Sequence, residues 1–287
     1  MNCAVIDVGS NSVRLMILVD GKSIYEETKT TRLGRQLTVD GRIGEEEMNL
    51  TIDVIDMFCK RARLAHAFKI YIFGTAAVRG ASNGRVFAFS VYARIGERLQ
   101  VLNGIEEAKI GFVGAVGGDL SPSIVLDVGG ASCEIAVGTG GVVTSSQSLD
   151  IGAVKIFSKC GDDKDAVGKY IDEMLCDIRP IAETLSAYAI GGTSTSIAML
   201  LSGGEKYDKE ITHGFVICRD KLKNLTDKLF EMGQDGRNNL TSIKAERREI
   251  IAGGAMLLLK ILEKLEINSI KASENDNLIG YYKVFVE

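Results

Sequence analysis

A gapless internal repeat is the feature that most constrains the fold of this 287-residue chain. The segment VIDVGSNSVRLMI (5–17) can be laid over VLDVGGASCEIAV (125–137). In both segments an apolar run ends in aspartate, turns through glycine and small polar residues, and continues as a second apolar run. The overlay matches Asp7 with Asp127, Gly9 with Gly129 and Ser12 with Ser132. Because similar strands follow each copy, the repeat indicates a duplicated supersecondary unit.

The order of apolar runs and helical periods predicts an α/β protein. The predicted strands cover 3–8, 13–19, 69–74, 99–103, 123–128, 133–138, 142–149, 187–192 and 267–273. The predicted helices cover 45–68, 84–99, 150–186, 219–232 and 243–265, with others beginning near 104 and 193. Residues 31–44 are predicted to form a loop. The order restarts after GGDLSP (117–122), so we expect domains at 1–118 and 119–287.

Composition excludes several classes of protein. The net charge of -4 and pI near 5.5 argue against a nucleic-acid partner. Six cysteines without ligand spacing and only two histidines disfavour a zinc site. Neither a signal peptide nor an apolar run of membrane-spanning length is present in the sequence. We therefore expect a reduced, cytoplasmic protein without a membrane partner.

The two repeated loops have a composition suited to phosphate. Glycines let backbone N–H groups approach a ligand closely, and serine and asparagine add donors. An aspartate beside phosphate requires a cation, and Mg²⁺ needs few carboxylates. A third glycine-rich strand end, AIGGTSTS (189–196), leads into a helix whose N-terminus favours anions. The alternative is that these glycines only form turns; no P-loop or Rossmann motif occurs.

Two other segments carry candidate chemistry, each with a simpler structural interpretation. Glu106 and Glu107 lie in the first turn of a predicted helix, where carboxylates stabilise the helix dipole. Alternatively, one of them is a general base. Arg79 follows a strand among small residues, where it is either a phosphate clamp or a solvated arginine.

Taken in order, the motifs resemble the exopolyphosphatase and guanosine pentaphosphate phosphohydrolase (Ppx/GppA) family, within the actin, Hsp70 and sugar-kinase (ASKHA) superfamily. The resemblance extends from Ile6 to about Tyr281. It implies an α/β fold of duplicated actin-like (ribonuclease H-like) domains with an interdomain active-site cleft. The motifs are IDVGSNSVRLMI, TRLGRQL, FGTAAVRGASN, NGIEEAKIGFVGAV, VLDVGGASCEIAVG, SLDIGAVKI and IGGTSTSIAML.

The resemblance also implies roles for individual residues. Glu107 is the expected catalytic base and Glu134 a second catalytic carboxylate, while Asp127 and Asp7 are the expected Mg²⁺ partners. The expected phosphate-binding residues are Gly9, Ser10, Asn11, Ser12, Arg79, Gly129, Gly130, Ala131, Ser132, Gly192 and Thr193. The implied reaction is metal-assisted attack of water on the end of polyphosphate or guanosine pentaphosphate, by a protein expected to be a homodimer.

The chain departs from the family pattern at two places. Gly-Gly-Ala-Ser-Cys-Glu replaces Gly-Gly-Gly-Ser-Thr-Glu, so Ala131 narrows the allowed backbone and Cys133 removes a hydroxyl. SENDNLIG (273–280) replaces a Ser-Asp-Gly and Leu-Arg-Glu-Gly element, and the helical, HD-like region of longer relatives is expected to be absent. Two other functions therefore stay open: a catalytically weak sensor of polyphosphate or an alarmone, and an actin-like ATPase or small-molecule kinase.

Overall fold

A computed structural model describes residues 2–180 and 186–287, without the side chains of residues 38 and 39. The chain forms two compact units, each built on its own sheet. The first comprises residues 1–107 and 277–287, and the second comprises residues 108–276. The sequence predicts one domain boundary, between residues 118 and 119. The two compact units of the structure instead divide after residue 107 and again after residue 276.

The first unit contains a five-stranded sheet in the order β3-β2-β1-β4-β5. Strands β1 to β3 are antiparallel neighbours, whereas β4 and β5 run parallel to β1. The strands are β1 (Cys3–Val8), β2 (Ser12–Val19), β3 (Lys22–Thr30), β4 (Lys69–Gly74) and β5 (Leu99–Val101). The helices are α1 (Leu37–Asp40), α2 (Glu45–Leu64), α3 (Ala76–Gly80), α4 (Gly84–Ile95), the start of α5 (Gly104–Val116) and, from the chain's end, α13 (Asn277–Phe285).

The second unit contains a six-stranded sheet in the order β10-β11-β9-β6-β7-β8. Its strands are β6 (Ser123–Val128), β7 (Cys133–Thr139), β8 (Val142–Leu149), β9 (Ser186–Ile190), β10 (Val216–Cys218) and β11 (Ser269–Ala272). Its helices are α6 (Ala153–Cys160), α7 (Lys164–Met174), α8 (Gly191–Ser202), α9 (Lys209–Thr212), α10 (Arg219–Glu231), α11 (Gly233–Arg237) and α12 (Ile251–Lys264), with a 3₁₀ helix at Ala245–Arg247.

The duplication predicted from the sequence is confirmed by topology and by register. Strands β8-β7-β6-β9-β11 repeat the order of the first sheet, and β10 is added at the edge. Both repeats carry a register shift, after Ile17 and after Val137, which are equivalent positions in the overlay. The predicted α/β architecture with two duplicated sheets is therefore confirmed. The location of the active site between the domains stays a prediction.

Burial explains which strands lie at the centre of each sheet. Every residue of β1 and β6 is buried, as expected for central strands covered on both faces. Strands β3 and β8 consist mostly of exposed and partly buried residues and form sheet edges. Helix α12 is buried along most of its length and packs in the core of the second unit.

Several predicted helix boundaries were wrong. The helices predicted over 150–186 are α6 and α7, the second of which ends at Met174, and residues 181–185 lie outside the described part. The helix predicted over 84–99 ends at Ile95 because Gly96 adopts a left-handed φ of 83°. The helix predicted from 243 begins at Ile251. The predicted loop at 31–44 contains the short helix α1, and Arg79 lies in the short helix α3, which was not predicted.

Candidate active site

The predicted site residues follow the carboxyl ends of parallel strands, where α/β sheets place their ligands. In the first unit, β1 leads into the first loop (9–12), β4 into the helix of Arg79, and β5 into the helix of Glu107. In the second unit, β6 leads into the second loop (129–132) and its parallel neighbour β9 into the third loop (191–193).

The first loop is mostly buried and is held by the segment that follows β3. Its closing hydrogen bond runs from Gly9 N to Ser12 O at 3.1 Å. Residues 31–35, which we call the first strap, donate from Thr31 N and Arg32 N to Asn11 O. Gly34 N donates to Ser10 O at 2.8 Å. The Asn11 Nδ2 donor is buried and has no hydrogen-bond partner among the described residues.

Asp7 lies directly before the first loop and is paired with an arginine. Arg14 stands opposite Asp7 in the β1–β2 ladder. Its Nε and Nη2 donate to Asp7 Oδ2 at 3.0 and 2.5 Å. A guanidinium therefore neutralises this carboxylate, and metal binding by Asp7 stays a prediction.

The second loop repeats the first in its hydrogen bonding. Gly129 N donates to Ser132 O at 3.1 Å, as Gly9 does to Ser12. Residues 150–155, the second strap, hold it through bonds from Ala153 N to Gly129 O and from Val154 N to Gly130 O, both at 2.9 Å. A Cβ on Gly129 would lie 3.0 Å from Ser132 O, so close approach explains this glycine.

The two departures in the second loop leave its backbone unstrained. Ala131 is buried and is absent from the positive-φ residues, so its methyl group meets no conformational penalty. Cys133 is completely buried in the hydrophobic core, on the opposite face of β7 from Glu134. Burial, together with the nearby Glu134 and Asp127 carboxylates, raises the pKa of the Cys133 thiol well above its usual value. The sulfur is thus a core group rather than a replacement ligand.

Asp127 and Glu134 form a buried carboxylate pair in the second unit. They stand opposite each other in the β6–β7 ladder, which places both side chains on one face of the sheet. Ser148 Oγ on β8 donates to Glu134 Oε1 at 2.8 Å. Like charges in directly opposed positions repel each other, and a cation beside the pair would reduce this repulsion.

These hard oxygen donors fit Mg²⁺, which needs only one or two carboxylates. In the described part of the chain, no group of three or more His, Cys, Asp or Glu side chains could form a complete metal cage. An ion held here would complete its coordination shell with water and substrate oxygens.

The third loop combines a constrained backbone with an arginine. Gly191 has a φ of 81°, and a Cβ there would lie 2.6 Å from Asp127 Oδ1. A Cβ on Gly192 would overlap the guanidinium of Arg247, which therefore lies directly against the loop. Thr193 is buried, and its methyl group occupies the space above Gly254 on α12. The N-terminus of α8 has no side-chain cap, so its amides and Arg247 form a positive region.

The two glutamates of the Glu-Glu-Ala element have different hydrogen-bond partners and therefore different roles. Glu106 Oε2 accepts from Asn103 N, and Asn103 Oδ1 accepts from Glu106 N, both at 2.9 Å, which is a capping box. Glu107 is 5% exposed, and its Oε2 accepts from Arg79 Nη1 at 2.8 Å. The same nitrogen donates to Leu102 O at 2.8 Å. Helix-start stabilisation therefore accounts for Glu106, while Glu107 is held by the predicted phosphate-binding arginine.

Sequence reasoning missed three residues of this site. Arg247 is far from Gly192 in the chain, and no motif or spacing links the two. Ser148 is one of several serines in β8, and only the strand register identifies it as the partner of Glu134. Gly152 lies in SLDIG, whose Ile-Gly corresponds to the Leu-Gly of TRLG, and this correspondence is a signal that could have located it.

Within the described part, no helix combines the length and apolar character needed to cross a bilayer. The chain is 28% identical to exopolyphosphatase 2 of Mycobacterium tuberculosis, over 96% of each chain. It is 27% identical to guanosine-5′-triphosphate,3′-diphosphate pyrophosphatase of Photobacterium profundum, over 93% of this chain and 55% of that protein. The crystal structure of the Aquifex aeolicus Ppx/GppA family member superposes with a TM-score of 0.80 at 27% identity, covering 98% of this chain and 95% of that one.

The family model described as the Ppx/GppA phosphatase family matches residues 16–275. That range includes the second and third loops, both straps, Arg79, Glu107, Asp127 and Glu134. The chain therefore belongs to the Ppx/GppA phosphatase family.

Proposed function

We propose that this protein releases orthophosphate from the end of inorganic polyphosphate or from guanosine pentaphosphate, with Glu107 as the general base. Membership of the family makes the chain a hydrolase of phosphoric anhydrides. The two relatives are named for polyphosphate and for a guanosine polyphosphate, which supports these substrates. The observation that carries the catalytic assignment is the ion pair between Glu107 and Arg79.

Glu107 has the properties of an oriented base. It is buried, its carboxylate is held by a guanidinium, and its neighbour Glu106 is occupied in the capping box. A carboxylate oriented by a guanidinium in this way is suited to accept a proton from a water that attacks phosphorus. Arg79 is 28% exposed at its side chain, so the same guanidinium can also contact a phosphate oxygen.

The three loops are proposed to bind the phosphate groups. The backbone amides of the first and second loops and the N-terminal amides of α8 are donors suited to anionic oxygens. The unpartnered Asn11 Nδ2 would find its acceptor there. Arg247, against Gly192, would add a charge-assisted contact. Oriented donors of this kind stabilise the charge of a transferred phosphoryl group.

Mg²⁺ is proposed to bind at Asp127, with Glu134 beside it and Asp7 as the other predicted partner. When bound, the ion supplies positive charge to phosphate oxygens. Glu134, anchored by Ser148, would orient water near the reacting phosphate. The family resemblance further predicts a homodimer, which sedimentation would test.

The test is phosphate release from tripolyphosphate, long polyphosphate, and guanosine and adenosine polyphosphates, comparing wild type with Glu107→Gln. Removing the base should lower kcat about 10²- to 10⁴-fold. Glu106→Gln is the matched control, because glutamine also closes a capping box. Equal rates for Glu107→Gln and wild type would remove Glu107 from the role of base. Tight binding without any turnover would instead indicate a sensor, and transfer of ATP phosphate to an acceptor would indicate a kinase.

A further inference from the structure

The first strap carries two exposed arginines. Arg32 and Arg35 are both exposed, and neither guanidinium forms a hydrogen bond or ion pair within the described residues. Their backbones, by contrast, are fixed: Arg32 N donates to Asn11 O at 2.9 Å, and Arg35 N donates to Arg32 O at 2.9 Å. Two uncompensated positive charges are therefore attached to the segment that holds the first loop.

Arg32 occupies a backbone conformation that favours glycine. Its φ is 53°, in the left-handed region that side chains with a Cβ adopt at a cost in free energy. Strained residues of this kind persist where the surrounding structure fixes them, and they cluster at active sites and ligand-binding segments. The Arg32 guanidinium forms no polar contact within the described residues, which leaves its donors available to a ligand.

The second strap provides an internal comparison, because the two units share one architecture. It also holds its loop through backbone bonds, made at other loop positions, but carries one acid and one base, Asp150 and Lys155. These two side chains form an ion pair with each other. The second strap is thus electrically neutral, whereas the first carries two unpaired positive charges. Only the first strap is suited to an anion.

We propose that Arg32 and Arg35 bind phosphate units of a linear polyphosphate beyond the terminal units held by the loops. This inference rests on the proposed binding of phosphate by the first loop. Guanidinium groups bind phosphate oxygens through paired donors, and a chain with many phosphates can engage both arginines at once. A long chain offers phosphate units for both the loops and the strap, so the strap is expected to favour long chains over tripolyphosphate.

The test compares Kd values for long-chain polyphosphate and tripolyphosphate, measured by calorimetry on the full chain. The main variant combines Arg32→Gly with Arg35→Gln. Glycine is the residue that the φ of Arg32 favours, so this variant is expected to fold at least as well as wild type. Arg85→Gln removes an exposed arginine on α4 of the same unit and serves as the matched control. Arg32→Lys retains the charge and should restore part of the long-chain affinity.

We expect the preference for the long chain, as the ratio of the two Kd values, to fall about tenfold in the double variant and to stay constant in Arg85→Gln. The slope of log K against log salt for the long chain should become shallower by about 1.4, corresponding to two lost phosphate contacts. A loss of folding alone would weaken both ligands and leave the ratio and the slope unchanged.

Three results would overturn the proposal: an unchanged ratio, an equal loss in Arg85→Gln, or no preference for the long chain in wild type. Because binding is measured without turnover, these results are independent of the proposed hydrolysis. Wild-type phosphate release tests that activity separately.

Discussion

Adding one methyl group at Gly152 should displace the second loop. A Cβ there would lie 2.5 Å from both the carbonyl carbon and the oxygen of Gly130, and 2.8 Å from Ala131 N. The contacted atoms belong to backbone, so no side-chain rotation can relieve the overlap. Carbon contacts are optimal at about 3.5 Å, so strap and loop must separate by about 1 Å.

The conformation of Gly152 isolates this effect from backbone strain. Its φ of −157° and ψ of 171° are extended values that alanine also adopts. The Gly152→Ala variant therefore changes only the distance between strap and loop. Overpacking of this kind costs about 1–3 kcal/mol of unfolding free energy. The bonds from Ala153 N and Val154 N to the loop should lengthen with the separation.

The activity should fall more than the stability suggests. A displacement of about 1 Å in a group that positions substrate can cost about 10²-fold in rate, equivalent to roughly 2.7 kcal/mol of activation free energy. The assay is kcat/KM for phosphate release from polyphosphate, together with urea unfolding of the same preparation.

Gly168→Ala is the matched control within the second unit. Gly168 lies in α7, and a Cβ added there would have Met256 Sδ at 3.8 Å and Lys260 Cε at 3.9 Å as its nearest atoms, which are ordinary contacts. This variant should gain about 0.5–1 kcal/mol from helix propensity and retain full activity. Wild-type kcat/KM and unchanged unfolding in Gly152→Ala would refute the reasoning, since the strap would then not determine the position of the loop.

Three further outcomes are expected. Arg237→Met should lower the unfolding free energy by about 3 kcal/mol, because this fully buried guanidinium donates to two backbone carbonyls and an aspartate. An unchanged midpoint of urea unfolding would contradict this reasoning. Cys133 should resist alkylation in the native protein while the exposed Cys176 reacts, as peptide mass mapping would show, since burial raises the pKa of Cys133. Hydrogen bonds from the Ser121 amide and from Tyr188 lower the pKa of Asp119 to about 2. The ionised carboxylate therefore stabilises the folded state above about pH 4, and this stabilisation disappears as the pH falls towards 2. Asp119→Asn should make the stability depend less on pH in that range, as acid unfolding would show.

The strands of the first unit were predictable because their composition follows burial. CAVIDV and VRLMILV are continuous apolar runs, as central strands require. Helix ends were less predictable because tertiary contacts determine them. Residues 243–250 have a helical composition, yet the chain there turns through a 3₁₀ helix whose end bonds to the buried Arg237 through Arg248 O.

The site was predictable only where neighbouring residues carry the signal. The glycine loops and the Glu-Glu-Ala element are contiguous, so the sequence predicted them together. Which glutamate is structural depends on a partner 28 positions away, Arg79, whose guanidinium bonds to Glu107. The same limit applies to Arg247, because its contact with Gly192 arises from the packing of distant segments.

The two repeats share one backbone arrangement but differ in the charge opposite the strand-end aspartate. In the first repeat the residue opposite the strand-end aspartate is Arg14, which neutralises Asp7 and leaves the loop without a carboxylate pair. In the second repeat the same ladder position holds Glu134 opposite Asp127, and two carboxylates share one face. A guanidinium attracts phosphate directly, whereas a carboxylate pair attracts the cation that phosphate also requires. In the proposed mode of binding, the residue opposite the strand-end aspartate, Arg14 in one repeat and Glu134 in the other, would therefore decide whether that strand pair attracts phosphate or its counterion.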